Sequence, residues 1–451
     1  MIGRWLAPGL GLVLLAATTA TVATPARAST AGIEVISENV QNRFPDGVSF
    51  TLFVGSDAEI SSVRLRYRIL PDGVPVSARP RCTTGASINC TADVGVSQAS
   101  YMVPGAEIVY SWEVEDAAGA SLRTEEARFM YEDDRFTWES ITEANLTVYF
   151  YFGAQDSQRL VLSTARETID RLSALMATRV DLPVKIWVYR TAQEMQPAVA
   201  SRRGQGPSSS VQTLGEVGAS DTALISRDTD FLNIVRHELA HIVTRQATDD
   251  HITDIPVWIN EGISTYAQRE LLPSEARALD LAIRRDAVLP ITSLSVSARG
   301  TADLVSLFYA QSGSLIAYLV ETGGEAQFGR FIAALGRATA DDAMLQVYGF
   351  DRLGLENGWR QSVGLAPVSG GGAAPREQAP LATLVPLGGG GQAPASETPA
   401  TANEPAATDT RAAEDDGGAS ALVLIVTAVA GGIALAGGGL YALRRRSRRA
   451  A

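Results

Sequence analysis

Lysine is almost missing from this chain: of its 38 basic residues only Lys185 is a lysine. Acidic residues number 50, the formal charge is −12 and the sequence pI is near 4.9. That balance leaves no basic patch of the kind a phosphate backbone attracts, so nucleic acid is not an expected partner. Cysteine is as scarce. Cys82 and Cys90 are the two present, and two thiols with no histidine nearby cannot complete a metal site. They flank a turn-rich stretch, Thr83-Thr84-Gly85-Ala86-Ser87, and in an exported chain are expected to form one local disulfide. Histidine occurs at 237, 241 and 251 alone, so any imidazole-based site must draw on these. What is not scarce is apolar side chain. At 46% hydrophobic over 451 residues, disorder is excluded for most of the length and two or three domains of roughly 100 to 200 residues can each bury a core.

The two ends carry the longest uncharged runs. Residues 1–28 hold Arg4, an uncharged stretch from Trp5 to Ala26, and Ala26-Arg27-Ala28 before Ser29, the pattern of a secretory signal peptide with a small-residue cleavage site. Pro8, Gly9 and Gly11 weaken the alternative of an uncleaved anchor. At the other end, 417–443 has no charge and is followed at once by Arg444, Arg445, Arg446, Arg448 and Arg449. It is longer than the roughly 20 residues a bilayer-spanning helix needs. The positive-inside rule keeps the tail 444–451 in the cytoplasm. The expectation is a single-pass cell-membrane protein with its N-terminal domains outside. Between these ends, 366–416 is rich in Gly, Pro and Ala with few apolar anchors, and is expected to be a disordered linker.

Two folded parts remain. Over 29–139 short alternating runs, among them Val48–Val54, Ser62–Ile69 and Glu107–Val114, are separated by turns such as Pro71-Asp72-Gly73 and Pro104-Gly105. This is the pattern of an all-β sandwich of the immunoglobulin or fibronectin kind. It is expected to serve as a packing or spacer module, with recognition of a substrate or surface as the other reading. Over 140–365 strands and helices mix: strand-like Leu146–Phe152, Val184–Tyr189 and Thr222–Ser226, an amphipathic helix near 157–177, and a helix beginning about Asp230, which is placed to cap it. Thr222–Ser226 could be an ordinary strand or the sheet edge on which an extended peptide lies.

The chemistry concentrates in His237-Glu238-Leu239-Ala240-His241. On a helix, positions i and i+4 project from one face, so both imidazoles can meet one zinc ion. Glu238 is offset by one residue and can take a proton from water activated at that ion. A catalytic zinc wants a third protein ligand and one open position. His251 is the remaining histidine, in an acidic loop; Glu261, in Trp258-Ile259-Asn260-Glu261-Gly262, is the better candidate because it could begin a second helix packed on the first.

His237-Glu238-x-x-His241 followed by Asn260-Glu261 resembles the gluzincin metallopeptidases of the MA clan, such as thermolysin and the aminopeptidase N-like enzymes. Residues 140–365 look like the minimal bacterial domain of that clan. The resemblance implies an α+β zincin-like fold, a peptide or protein substrate, one zinc ion per chain held by His237, His241 and Glu261, and Glu238 as general base. Tyr309 resembles the tyrosine that similar peptidases use to stabilise the oxyanion, although its helix, with Leu304, Phe308, Leu315 and Leu319, also reads as core. Thermolysin-like enzymes carry an Asp four residues after the ligand Glu to orient a zinc-bound histidine. Here that position is Thr265. No Gly-x-Met-Glu-Asn segment precedes the motif, which favours an endopeptidase over an aminopeptidase. The alternative is a cell-surface binding or adhesion protein whose peptidase-like domain is inactive or structural.

Overall fold

Alternation of side chains builds the first part of the molecule. The computed structural model describes residues 32–71, 73–96, 102–199, 220–227, 230–248, 255–295 and 301–368, together with the backbone of Leu12–Val13, Ser29–Thr30, Val211–Thr213, Gly215–Ala219 and Val423–Ile425. The N-terminal strands are β1 (Ile33–Arg43), β2 (Gly47–Ser56), β3 (Ile60–Leu70), β4 (Val76–Ala78), β5 (Arg81–Cys82), β6 (Ser87–Gly95), β7 (Ala106–Asp116), β8 (Ser121–Arg123) and β9 (Ala127–Tyr131). One sheet runs β1-β2-β6-β5 and the other β8-β7-β3-β4, with β9 also on β7. Phe50, Leu52 and Val54 of β2, Ile88, Ala92 and Val94 of β6, and Ile108, Tyr110, Trp112 and Val114 of β7 occupy alternate positions and share one core. Cys82 and Cys90 face each other across the β5–β6 pair and are bonded.

A second sheet follows at once: β10 (Glu139–Glu143), β11 (Leu146–Phe150), β12 (Val184–Tyr189), β13 (Gly215–Ala219) and β14 (Thr222–Ser226), in the order β10-β11-β12-β14-β13. Leu12–Val13 pairs outside β10. β11, β12 and β14 are mutually parallel, and the outer strands run against them. The register aligns Val148, Ile186 and Ala223 on one face and Tyr149, Trp187 and Leu224 on the other. Both faces are covered, so β12 and β14 are apolar almost throughout instead of alternating. Helices pack on the first face: α1 (Gln155–Leu175), which buries Val161, Leu162, Ile169 and Leu172, and α3 (Phe231–Ala247) beside it; the short α2 (Ala192–Met195) lies on the other face.

The other face meets the sandwich. Trp187, Tyr189 and Leu224 pack with Trp138, Met195 and Val199 and with Val103 and Ala106 from the start of β7. Lys185 Nζ reaches across, donating to the Gly105 carbonyl at 2.9 Å and to Asp221 Oδ2 at 3.1 Å. The connecting segment is fixed around Asp133. This fully buried carboxylate receives Arg135 Nη2 at 2.6 Å and the Tyr189 hydroxyl at 3.0 Å. Trp138 Nε1 donates to its backbone carbonyl at 2.8 Å. The sandwich therefore forms part of the core wall of the second sheet.

After α3 the chain is helical: α4 (Val257–Ala267), α5 (Pro273–Arg284), α6 (Ala302–Leu335), α7 (Ala340–Tyr348) and α8 (Arg352–Ser362). Among the described residues α6 is the one helix long and apolar enough to cross a bilayer, but its apolar stretch is mostly buried in the protein. It is also broken at Gly324, whose φ of 73° and ψ of 165° are not helical. The segments expected as signal peptide (1–28), linker (366–416), transmembrane helix (417–443) and tail (444–451) lie outside the described residues, save the short stretches given above and 366–368.

Candidate metal centre

Helix α3 places His237 and His241 one turn apart on a single face, with ring centroids 5.0 Å apart and both side chains buried. The helix does not start as expected. Asp230 has φ 62° and caps nothing with its side chain; instead its carbonyl accepts from Asn233 N at 2.8 Å and Ile234 N at 3.3 Å. Helix α4 packs against α3 and brings Glu261 in: Glu261 Oε2 lies 3.3 Å from His237 Nε2 and 3.6 Å from His241 Nε2. One possible ligand atom from each residue falls within 4.8 Å of the others. Both Nε2 atoms and Glu261 Oε2 are buried with no hydrogen bond. Three orphaned polar atoms pointing at one another are costly unless something joins them, and two imidazole nitrogens with one carboxylate oxygen suit a zinc ion that keeps a fourth position open. The residues fit the metal that the sequence calls for.

Electrostatics agree. Burial, then the neighbouring His241, push the His237 imidazole well below its usual range, and burial lowers His241 to about 4 against the opposing hydrogen bond to Asn260. Both rings are thus neutral near pH 7, as metal ligands must be. Burial raises Glu261 to about 8. A divalent cation facing that carboxylate reverses the effect, because it favours the charged form.

Each imidazole is held from behind. His241 Nδ1 is 3.1 Å from Asn260 Oδ1 and 3.1 Å from Ser264 Oγ, whose own proton goes to the Asn260 carbonyl at 3.1 Å. His237 Nδ1 is 2.8 Å from the Gln268 amide nitrogen. Thr265, where related enzymes place an orienting Asp, is buried with its hydroxyl unbonded. The orienting group for His237 comes one turn later, from the C-cap of α4. The sequence reading missed Gln268 and Ser264. Their signal is spacing alone: Ser264 and Gln268 stand three and seven residues after Glu261, on the same face of α4.

Glu238 is fully buried on α3 beside the two histidines. Tyr309 on α6 is 7% exposed, with its ring centroid 6.0 Å from that of His237. Burial, and then Glu261, Glu238 and Glu275, push its phenol well above the ordinary value. Tyr309 is thus both a core residue and a wall of the site. Thr222–Ser226 is not the sheet edge: it lies between β12 and β13, which leaves Gly215–Ala219 as the outer strand. His251 lies outside the described residues. Cys82 and Cys90 belong to the sandwich and take no part in this site.

Residues 164–364 match the family model described as Peptidase MA superfamily. A search of curated proteins finds no match to the chain. Among solved structures, the chain is similar to a substituted two-domain M1 zinc metallopeptidase bound to L-arginine, at 12% identity over 75% of this chain and 96% of that one, with a TM-score of 0.36. A Br derivative of BhCBM56 aligns at 12% identity over 23% of this chain and 97% of that one, with a TM-score of 0.16. A Bifidobacterium dentium beta-glucuronidase complexed with coumarin-3-O-glucuronide aligns at 12% identity over 49% of this chain and 36% of its own, with a TM-score of 0.17. At such TM-scores these likenesses say nothing about the chemistry of this chain. The family match covers the part of the chain that holds the site, and residues 164–364 are similar to the Peptidase MA superfamily.

Proposed function

We propose that this protein is a zinc-dependent peptidase that cleaves peptide bonds within a chain, held at the outer face of a membrane by residues 417–443. The observation that carries the reading is the meeting of His237 Nε2, His241 Nε2 and Glu261 Oε2, buried and otherwise unbonded, next to Glu238. Zinc held by these three residues supplies Lewis-acid polarisation of the substrate carbonyl and lowers the pKa of a coordinated water. The Glu238 carboxylate accepts a proton from the attacking water and returns it to the leaving amine. Tyr309, kept protonated by its surroundings, donates a hydrogen bond to the carbonyl oxygen as charge develops there. The packed walls of α3, α4 and α6 hold these groups in a site of low polarity, where such interactions are strongest. Internal cleavage is favoured because the chain has no Gly-x-Met-Glu-Asn segment to hold a free substrate amine.

The test is metal content of the full-length protein by elemental analysis, beside hydrolysis of an unstructured protein with and without a chelator. One zinc per chain is expected, with cleavage that the chelator stops and that Glu238→Gln lowers by about 100-fold or more while zinc stays bound. No bound zinc would turn the reading towards a surface binding protein. Full activity of Glu238→Gln with zinc in place would remove Glu238 from the mechanism.

A further inference from the structure

We propose that Gln268 is a positioning residue of the metal centre, whose uncharged amide sets which nitrogen of His237 carries the proton and so tunes how tightly zinc is held. The inference rests on the zinc reading above.

The Gln268 amide nitrogen is 2.8 Å from His237 Nδ1, while its Oε1 is buried and has no hydrogen bond. A neutral imidazole has one N–H and one bare nitrogen, and a primary amide offers both a donor and an acceptor. With the amide NH2 donating to Nδ1, the ring proton sits on Nε2 and points towards Glu261 Oε2 at 3.3 Å. That arrangement occupies the nitrogen a metal needs. A half-turn of the amide puts Oε1 against Nδ1, which then carries the proton, and leaves the Nε2 lone pair facing His241 Nε2 and Glu261. The half-turn bonds Oε1 and moves the amide NH2 to the position that Oε1 held.

His241 is held differently. Its Nδ1 faces the Asn260 side-chain Oδ1 and a Ser264 hydroxyl whose proton goes to the Asn260 backbone carbonyl, so in this arrangement Nδ1 donates and Nε2 is bare. In the arrangement shown the two histidines therefore differ: His241 Nδ1 meets two oxygens, and His237 Nδ1 meets an amide nitrogen. A carboxylate at 268 would only accept, and would hold His237 permanently in the metal-binding form while making it a stronger donor. With an amide there, zinc is held less tightly than a carboxylate would hold it.

Zinc affinity, measured by chelator competition on the full-length protein with zinc as the sole added metal, separates the possibilities. Gln268→Met keeps the length of the side chain and removes both polar atoms; the expected dissociation constant rises by about 10- to 100-fold. Gln268→Glu is expected to bind zinc more tightly than the wild type and to place the proton of metal-free His237 on Nδ1, read from the 15N shifts of its ring. Circular dichroism of the metal-free variants checks folding. Should Gln268→Glu fail to fold without metal, Gln268→Met carries the test. A wild type that binds no zinc overturns the metal centre and this proposal together. A wild type that binds zinc, with Gln268→Met binding it equally well, overturns the role of Gln268 alone. Weaker binding by a folded Gln268→Glu also overturns it.

Discussion

Gly262 lies so near the backbone of α6 that a methyl group in its place would come within 2.6 Å of the Ser312 carbonyl oxygen. From the other side, a methyl on Gly313 would meet Thr265 Cγ2 at 2.7 Å. These two bare positions let α4 and α6 approach, and that approach is what sets Glu261 against the same space as Tyr309. Gly262→Ala must push the helices apart. The expected cost is about 1–3 kcal/mol, with looser zinc binding because Glu261 is the adjacent residue. Thermal unfolding and chelator competition measure the two effects, and no change in either would show that the packing yields elsewhere.

Tyr309→Phe removes one hydroxyl and leaves the ring packed. If the phenol donates to the developing oxyanion, kcat falls by about 100- to 1,000-fold while zinc content and melting temperature hold. A kcat within about twofold of wild type, in steady-state hydrolysis, would leave Tyr309 a core residue only.

Lys185 ties the sandwich to the sheet through the Gly105 carbonyl and Asp221. Lys185→Met keeps the stem and removes the charge, leaving the largely buried Asp221 carboxylate with the Thr222 hydroxyl at 2.6 Å as its remaining short contact among the described residues. A loss of about 1–3 kcal/mol is expected in urea unfolding. Adding Asp221→Asn should recover part of it, and a double variant as unstable as the sum of the singles would deny the coupling.

Glu275 stands at the first turn of α5, where its carboxylate accepts from the Leu272 N–H at 3.0 Å. Burial raises it from 4.5 to about 7 despite that bond. Between those two values the unfolded chain has released the proton and the folded one still holds it, so stability falls as the pH rises from about 4.5 to 7 and then levels. Gln at this position keeps an acceptor for Leu272 and cannot ionise. Melting temperature against pH should therefore decline less for Glu275→Gln over that window, and identical profiles would exclude Glu275 as the cause.

Much of this is legible in the sequence. Strict alternation at Phe50, Leu52 and Val54 identified strands, and the four-residue spacing of His237 and His241 with Glu261 beyond identified three side chains that do come together. Gln268 was not read from the sequence, because its spacing of seven residues from Glu261 is the one signal it carries and many polar residues share such a spacing. Which strand lies outermost was left open by the sequence for a related reason. Gly215–Ala219 begins with glycine and has no run of large side chains to announce a strand, whereas Thr222–Ser226 is apolar because it is interior. The docking of the sandwich was hidden as well: Trp187 and Tyr189 read as ordinary strand residues, and the side that covers them is supplied by residues far away in the chain.

That docking has a consequence for the order of events at synthesis. Residues 32–131 precede every strand of the second sheet apart from the two-residue Leu12–Val13 pairing, so a chain emerging from its N-terminus can complete the sandwich before Trp187 and Tyr189 are made. The aromatic face of β12 then arrives at a surface already built to receive it. In the finished protein that face has no contact with water, since Trp187 and Tyr189 are buried in the cluster that Val103 and Ala106 share.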